Sequence, residues 1–351
     1  MTAPAADAAT PRAEYILPLR WANDSGLVDL VPYLVKLSSW ITVTVVDGSP
    51  GDLFERHRVC FPPAVHHIRP EPGTGGNGKV AAVMTAVNSS SAERLVIADD
   101  DVRYTPEGLD AVVRGLDHAE LVRPQNYFSP MPWHASWDTS RTLINRAFGH
   151  DFPGTLAVRR EALVATGGYD GVLFENLELI RTITAAGGRE KRLRDVFIAR
   201  RPPTFRHFVK QRVRHAYDDF AQPARLCAEL ALLPLLAGAL CQPGRRRVTA
   251  LLAAAGSAVA FAEVGRRRHH GQTVFPARTV IFAPLWATER AACIWIALAL
   301  RVGGGIPYAG VRLKTAANPT AELRRRHQGK IRPAPTTDLS PSPQAAEGQQ
   351  P

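Results

Sequence analysis

Between Glu14 and about residue 220 the chain alternates short apolar runs with longer segments whose apolar residues recur every three or four positions. The runs at residues 14–19, 41–46, 65–69, 95–98 and 155–158 are rich in β-branched or large apolar side chains and predict strands. Residues 27–37, 79–88 and 106–117 predict helices. Strands alternating with helices need crossover connections, which give a mostly parallel sheet covered on both faces, an α/β fold. Ligands of such sheets bind beyond the carboxyl ends of the strands, so the residues just after each run are where chemistry is expected.

From about residue 225 the pattern changes to long apolar stretches at 226–241, 248–264 and 279–300. A membrane span needs about 20 apolar residues. The first two stretches are therefore short, and the third carries Glu289 and Arg290 near its middle. Arginine triplets at 245–247, 266–268 and 324–326 contribute to a net charge of +11 and would hold every connection on the cytoplasmic side. Re-entrant or interfacial helices satisfy that pattern better than clean spans. A soluble subdomain of Ala-rich buried helices is the competing reading. No zinc-finger spacing, aromatic and basic interleaving or basic heptad helix is present, so the charge points to an anionic membrane face and acidic small molecules, and nucleic acid is not expected as a partner. The four cysteines lie far apart without a CxxC pair, which argues against a disulfide framework or a zinc ribbon. The resulting division is a disordered tail at 1–13, an α/β domain at 14–224, a membrane-associated helical region at 225–318 and a disordered basic, Pro-rich tail at 319–351.

The most informative segment is LVIADDDVRY, where an apolar run ends in Asp99, Asp100 and Asp101. Strand side chains alternate, so Asp99 and Asp101 point one way from the sheet edge and Asp100 the other. Two carboxylates so placed suit a hard divalent cation, Mg²⁺ or Mn²⁺, with diphosphate completing its shell. An acidic turn capping the helix near Pro106 is the plainer reading. Upstream, VTVVDGSP ends a strand with Asp47, a carboxylate able to accept hydrogen bonds from a base or ribose, or simply an Asp-Gly turn. EPGTGGNGKV places Gly73, Gly75, Gly76 and Gly78 before Lys79 at a helix start, where backbone can approach phosphate and the helix terminus favours anions. Its spacing is not that of a Walker A loop.

In this order, VVDGS, GGNGKVAA, ADDDV, GGYDGVLFENLEL and QRVRH resemble glycosyltransferase family 2 of the GT-A fold, over about residues 14–220. PLWATER and GGIPYAGVRLKTAAN resemble the apolar tails of membrane-associated, bacterial-type members. The resemblance implies a metal-dependent hexosyl or glycosyltransferase with a nucleotide-sugar donor, inversion at the anomeric carbon, and a lipid-linked or membrane-proximal acceptor. It implies Asp47, Lys79, Asp99, Gln211 and Arg214 on the donor side, Asp99 and Asp101 at the metal, and a catalytic domain on the cytoplasmic side of the cell membrane.

Two departures stand out. Family members usually carry Glu-Asp where this chain has Glu175 and Asn176, and an amide cannot take a proton from a hydroxyl. The base then falls to Glu175 or to Glu178, three residues on and able to share its helix face, or the acceptor needs little deprotonation, as a phosphate would; Asn176→Asp should be tolerated. QRVRH replaces a QxxRW-like motif, so Gln211 and Arg214 are kept and His215 stands in the aromatic position. Trp133 and His134, with Trp137 and Asp138, are candidates for an acceptor platform or for core packing. His66, His67, His269 and His270 read as surface residues. A degenerate GT-A binding or scaffold protein at the membrane is the alternative to an enzyme.

Overall fold

The computed structural model describes residues 12–72, 76–149, 151–308 and 310–331. The expected tails at 1–11 and 332–351, and Gly73 and Gly75 of the glycine segment, lie outside them. An eight-stranded sheet is built from β1 (Ala13–Leu19), β2 (Thr42–Asp47), β3 (Val65–Ile68), β4 (Arg94–Ala98), β5 (Val102–Arg103), β6 (Leu121–Phe128), β7 (Thr155–Arg159) and β8 (Glu190–Arg200). Its order is β3-β2-β1-β4-β7-β6-β8-β5. Neighbours β3, β2, β1 and β4 are parallel, as are β6 and β8, while β7 and β5 run against them. The sheet is mostly parallel, as the alternating pattern requires.

Period-two alternation divides each central strand between two cores. Tyr15, Leu17 and Leu19 of β1, with Val96 and Ala98 of β4, pack on α1 (Leu27–Leu37) and α4 (Pro106–Gly115). Ile16, Leu95 and Ile97 face α3 (Gly78–Ser89), α6 (Arg160–Thr166) and α7 (Glu175–Ala185) on the other side. Helices α2 (Gly51–Cys60), α5 (Trp133–Phe148) and α8 (Phe205–Tyr217) complete the domain. Strands β6 and β8 escape sequence reading because LVRPQNYF contains a proline and EKRLRDVFIAR is mostly charged. The register of this pair shifts between Arg123 and Gln125, so Pro124, which has no N–H to give, sits at the irregularity.

Beyond residue 222 come α9 (Pro223–Leu240), α10 (Gly244–Arg267) and α11 (Ala283–Val302), then a hairpin of β9 (Ile306–Tyr308) and β10 (Val311–Leu313), and α12 (Thr320–His327). All three long helices are long and apolar enough to cross a membrane. Only Glu229 is buried along α9, and only Ala262 and Gly265 along α10. A subdomain of mutually buried helices is therefore not what forms, because large apolar side chains such as Leu235 and Leu252 face outward at 68% and 67% exposure.

The charges within α11 turn inward. Arg290 is fully buried and donates to Asp219 at 3.0 Å, while Glu289 accepts from Arg212 at 2.9 Å. Order also continues past residue 319. Leu323 of α12 is buried as the helix packs along α7, and Ile331 closes the second core, so the boundary expected at 319 falls within folded chain.

Where α10 crosses α5, Gly265 leaves no room for a side chain: a Cβ there would lie 1.8 Å from the Leu143 carbonyl oxygen. Neither backbone can yield cheaply. Gly265→Ala should therefore destabilise the protein by about 3 kcal/mol, at the upper end of overpacking costs. Thermal unfolding in detergent checks this, and an unchanged midpoint would mean that the crossing is not a fixed contact.

Candidate functional site

The carboxyl edge of the sheet gathers charge from four elements. After β4 the chain turns at Asp99–Asp101, tied by the Asp99 N–H to the Gly154 carbonyl at 2.9 Å and by the Arg201 N–H to the Asp101 carbonyl at 2.7 Å. Asp99 and Asp101 reach the same cation: the Arg200 guanidinium lies 2.7 Å from Asp101 and 3.5 Å from Asp99. Asp100 turns the other way and accepts from the Trp21 indole N–H. At the start of α3, Asn77 caps the helix by accepting the Lys79 N–H at 3.0 Å and donates to the Val172 carbonyl at 2.8 Å. Lys79 Nζ then spans Asp99 at 2.5 Å and Glu175 at 2.7 Å. Gly154 packs against the pair: a Cβ there would sit 2.5 Å from Asp99 Oδ2 and 2.8 Å from Arg200 Cζ, so any side chain would displace one of them.

Burial alone would raise the Asp99 carboxyl, yet Lys79 and Arg200 hold it below the usual range. Burial pushes Asp101 up to about 6 against the pull of Arg200, and the adjacent Asp99 charge adds to the rise. The pair is a set of hard oxygen donors left short of positive charge, which fits Mg²⁺ or Mn²⁺. No cluster of three or more His, Cys, Asp or Glu side chains among the described residues offers a complete metal cage. The rest of the shell would have to come from ligand and water.

The other expected residues divide between the edge and the scaffold. Arg214 of α8 lies over the Tyr308 ring at 4.7 Å, and Asp218, Glu175 and Asp99 favour its charge against burial. Gln211 is engaged one turn back, 2.6 Å from His207 Nε2. Asp47 is not open to a base or ribose. Its carboxylate is fully buried between His57 Nδ1 at 2.6 Å, His67 Nε2 at 3.1 Å and the Ser49 N–H at 2.9 Å. Three partners satisfy it, so it braces the β2 end. With its ring 6% exposed, His67 belongs to this brace and not to the surface.

Glu178 does not join Glu175 at Lys79. It is completely buried and accepts from both the backbone and side-chain N–H groups of Asn318 at 2.7 Å, a structural clamp on the chain before α12. Asn176 donates to the Pro153 carbonyl at 3.1 Å. An aspartate at 176 would set a carboxylate against that oxygen, so Asn176→Asp is no longer expected to be tolerated. Trp133 is 53% exposed, stacked near Trp137 and 5.0 Å from Phe205. His134 is buried, with Nε2 2.8 Å from the Pro203 carbonyl, and Asp138 pairs with Arg212 at 2.7 Å, so the exposed platform is Trp133 and Phe205.

Sequence reading missed Arg200, Trp21 and Gly154. Arg200 was reachable in principle, since it ends the VFIAR run of β8 at the same sheet edge, but β8 itself was hidden by its charges. Asp218 also gains weight. It follows α8, and its Oδ1 is buried without a hydrogen-bond partner. Burial pushes its carboxyl up to about 7 despite Arg214, with Asp219 and Glu175 adding to the rise.

The sequence matches no family model and no curated protein. Among solved structures it is similar to a mannosyltransferase from Pyrobaculum calidifontis in complex with GDP-Man and Mn²⁺, at 18% identity and a TM-score of 0.44 over 81% of this chain and 87% of that one. It is also similar to glucosyl-3-phosphoglycerate synthase from Mycobacterium tuberculosis with Mn²⁺ and UDP, at 16% identity and 0.39 over 57% and 74%. A third similarity is to GalNAc-T7 with UDP, GalNAc and Mn²⁺, at 14% identity and 0.41 over 56% and 45%.

The state of Asp218 has a measurable consequence. A carboxyl that titrates near 7 in the fold and near 3.8 in the unfolded chain adds stability below the lower value and loses it as pH rises through the higher. Unfolding free energy should therefore fall between pH 4 and 7 by at most about 1.4 kcal/mol per pH unit from this group. Asp218→Asn should flatten that slope in denaturant titrations. Identical slopes in the two proteins would show that Asp218 is ionised throughout.

Proposed function

We propose that the protein is a glycosyltransferase that moves a sugar from a nucleotide-sugar donor to a lipid-linked or membrane-proximal acceptor, with inversion at the anomeric carbon. The observation that carries this reading is the convergence of Asp99, Asp101, Lys79, Arg200 and Glu175 at one sheet edge. Asp99 and Asp101 would hold a divalent cation, which when bound neutralises diphosphate charge. Arg214 supplies a half-buried cation beside the same edge, suited to charge that grows on a departing phosphate. Lys79 holds Glu175 in place across 2.7 Å, and in this reading that carboxylate takes the acceptor's proton. The exposed ring of Trp133 offers a stacking face for the acceptor side.

The three apolar helices and their arginine-flanked ends support a place at the cell membrane with the α/β domain on the cytoplasmic face, where anionic lipid attracts basic residues. A panel of UDP-, GDP- and dTDP-sugars, scored for release of nucleoside diphosphate, tests the reaction. A degenerate scaffold would bind donor and release none.

Glu175→Gln should lower transfer by about 10²- to 10⁴-fold while Mn²⁺-dependent donor binding persists, because only the proton acceptor is lost. Asp99→Ala with Asp101→Ala should weaken donor binding itself. Near-normal turnover by the double variant in saturating Mn²⁺ would remove the carboxylates from the reaction. In fractionation, the full chain should pellet with membranes and resist high salt, since apolar insertion survives screening. A full-length protein that is monodisperse without detergent would contradict the membrane placement.

A further inference from the structure

A cavity of about 930 Å³ lies between α5, α9, α10 and α11, close to the upper size of small-molecule sites. Ile144, Leu232, Leu236, Leu251, Ala255 and Ala287 give it apolar walls. Its charged residues are at the start of α9, where Gln222, Arg225 and Glu229 line it; Asn145, Ser257, Trp286 and Thr288 are the other polar lining residues. The later half of α9 contributes only apolar side chains, so the space has one polar end and one hydrocarbon end.

The polar end is charge-balanced. Arg225 Nε lies 3.0 Å from Asp219 and 3.1 Å from Glu229, and Arg290 Nη1 lies 3.0 Å from Asp219 and 3.6 Å from Glu229. Two guanidinium groups meet two carboxylates, which leaves no surplus positive charge for a phosphate. Hydrogen-bonding capacity is left over, however. Glu229 and Trp286 are only 4% and 5% exposed; the Trp286 indole N–H is buried without a hydrogen-bond partner, and Glu229 Oε2 has the Arg290 ion-pair contact at 3.6 Å but no hydrogen bond. Unmet groups of this kind cost free energy unless a ligand satisfies them. Arg290 Nε and Nη2 are also unpaired, but Arg290 does not line the cavity; of the lining groups, a hydroxyl, which donates and accepts at once, can meet both Glu229 Oε2 and the Trp286 N–H.

The cavity also adjoins the carboxylate site through a single turn. Asp219 holds Arg225 and Arg290 on the cavity side, while its neighbour Asp218 sits in the field of Arg214 and Glu175. We infer that this cavity seats the hydrocarbon chain of the acceptor, and that the acceptor's polar end is an uncharged hydroxyl-bearing group. The inference rests on the glycosyl-transfer reading of the site. Lipid is the occupant because the outer faces of α9 and α10 are apolar and exposed, which puts hydrocarbon chains beside the cavity.

The test uses the full chain in phosphatidylcholine nanodiscs with a diacylglycerol bearing a diazirine on one acyl chain. Labelling should concentrate on cavity-facing peptides and fall at least tenfold in Ala255→Trp, which fills the space. Leu252→Trp, on the outward face of α10, should leave it unchanged. Ala228→Phe on the α9 wall gives a second filling variant, and elution and thermal midpoint confirm that each variant folds. Labelling spread evenly over outward positions, or indifferent to both filling variants, overturns the inference. So does displacement by undecaprenyl phosphate at lower concentration than by unlabelled diacylglycerol, since that favours a charged head. If labelling is confined to the cavity but no nucleotide sugar releases nucleoside diphosphate, the lipid seat stands and the transfer reading falls.

Discussion

Three consecutive aspartates at the end of a buried strand cannot remain charged unless cations are brought to them, and that requirement organises the molecule. Lys79 comes from the start of α3 and Arg200 from the end of β8, while Glu175 from α7 shares Lys79. Each contact crosses between segments distant in sequence, so forming the site and closing the sheet edge are one event. The balance is incomplete, which is why burial drives Asp101 up to about 6 while Asp99, with the closer cation, stays low. A site left short of positive charge is prepared for a ligand that brings more.

The same rule joins the α/β domain to the apolar helices. Arg212 bridges Asp138 of α5 and Glu289 of α11, and Arg290 of α11 meets Asp219 in the turn before α9. Buried pairs of this kind add little net stability compared with apolar packing, because desolvation offsets the attraction. They fix orientation instead, since breaking one partner strands a charge. Helices that expose apolar side chains are thereby held at a defined angle to the α/β domain, and Gly265 lets α10 approach α5 closely enough to keep it there.

The scaffold residues Asp47, Glu178 and Asn176 look like chemistry in the sequence and serve as braces in the fold. Asp47 is held by His57 and His67, Glu178 accepts from Asn318, and Asn176 donates to the Pro153 carbonyl. A carboxylate becomes reactive only where its partners leave an oxygen free. That condition depends on neighbours contributed by other elements and has no signature in local spacing.

The sequence alone determined the strands β1 to β4 and the helices between them, because their apolar residues recur at strand and helix periods and the crossovers make those strands parallel; their order in the sheet came from the tertiary structure. Asp99 and Asp101 reach one cation and Asp100 another partner, but all three lie in the turn after β4, where the hydrogen bonds to Gly154 and Arg201 rather than strand alternation set their directions. Strands β6 and β8 were decided by tertiary structure: their polar and proline-containing sequences become strands only through pairing with each other and with the reversed β7 and β5. Tertiary structure alone brought Arg200 to the aspartates, sent Glu178 to Asn318, and turned Glu289 and Arg290 inward. Charge pairs over separations of a hundred residues are set by where the sheet edge and the helix crossings put them, and no periodicity along the chain encodes that distance.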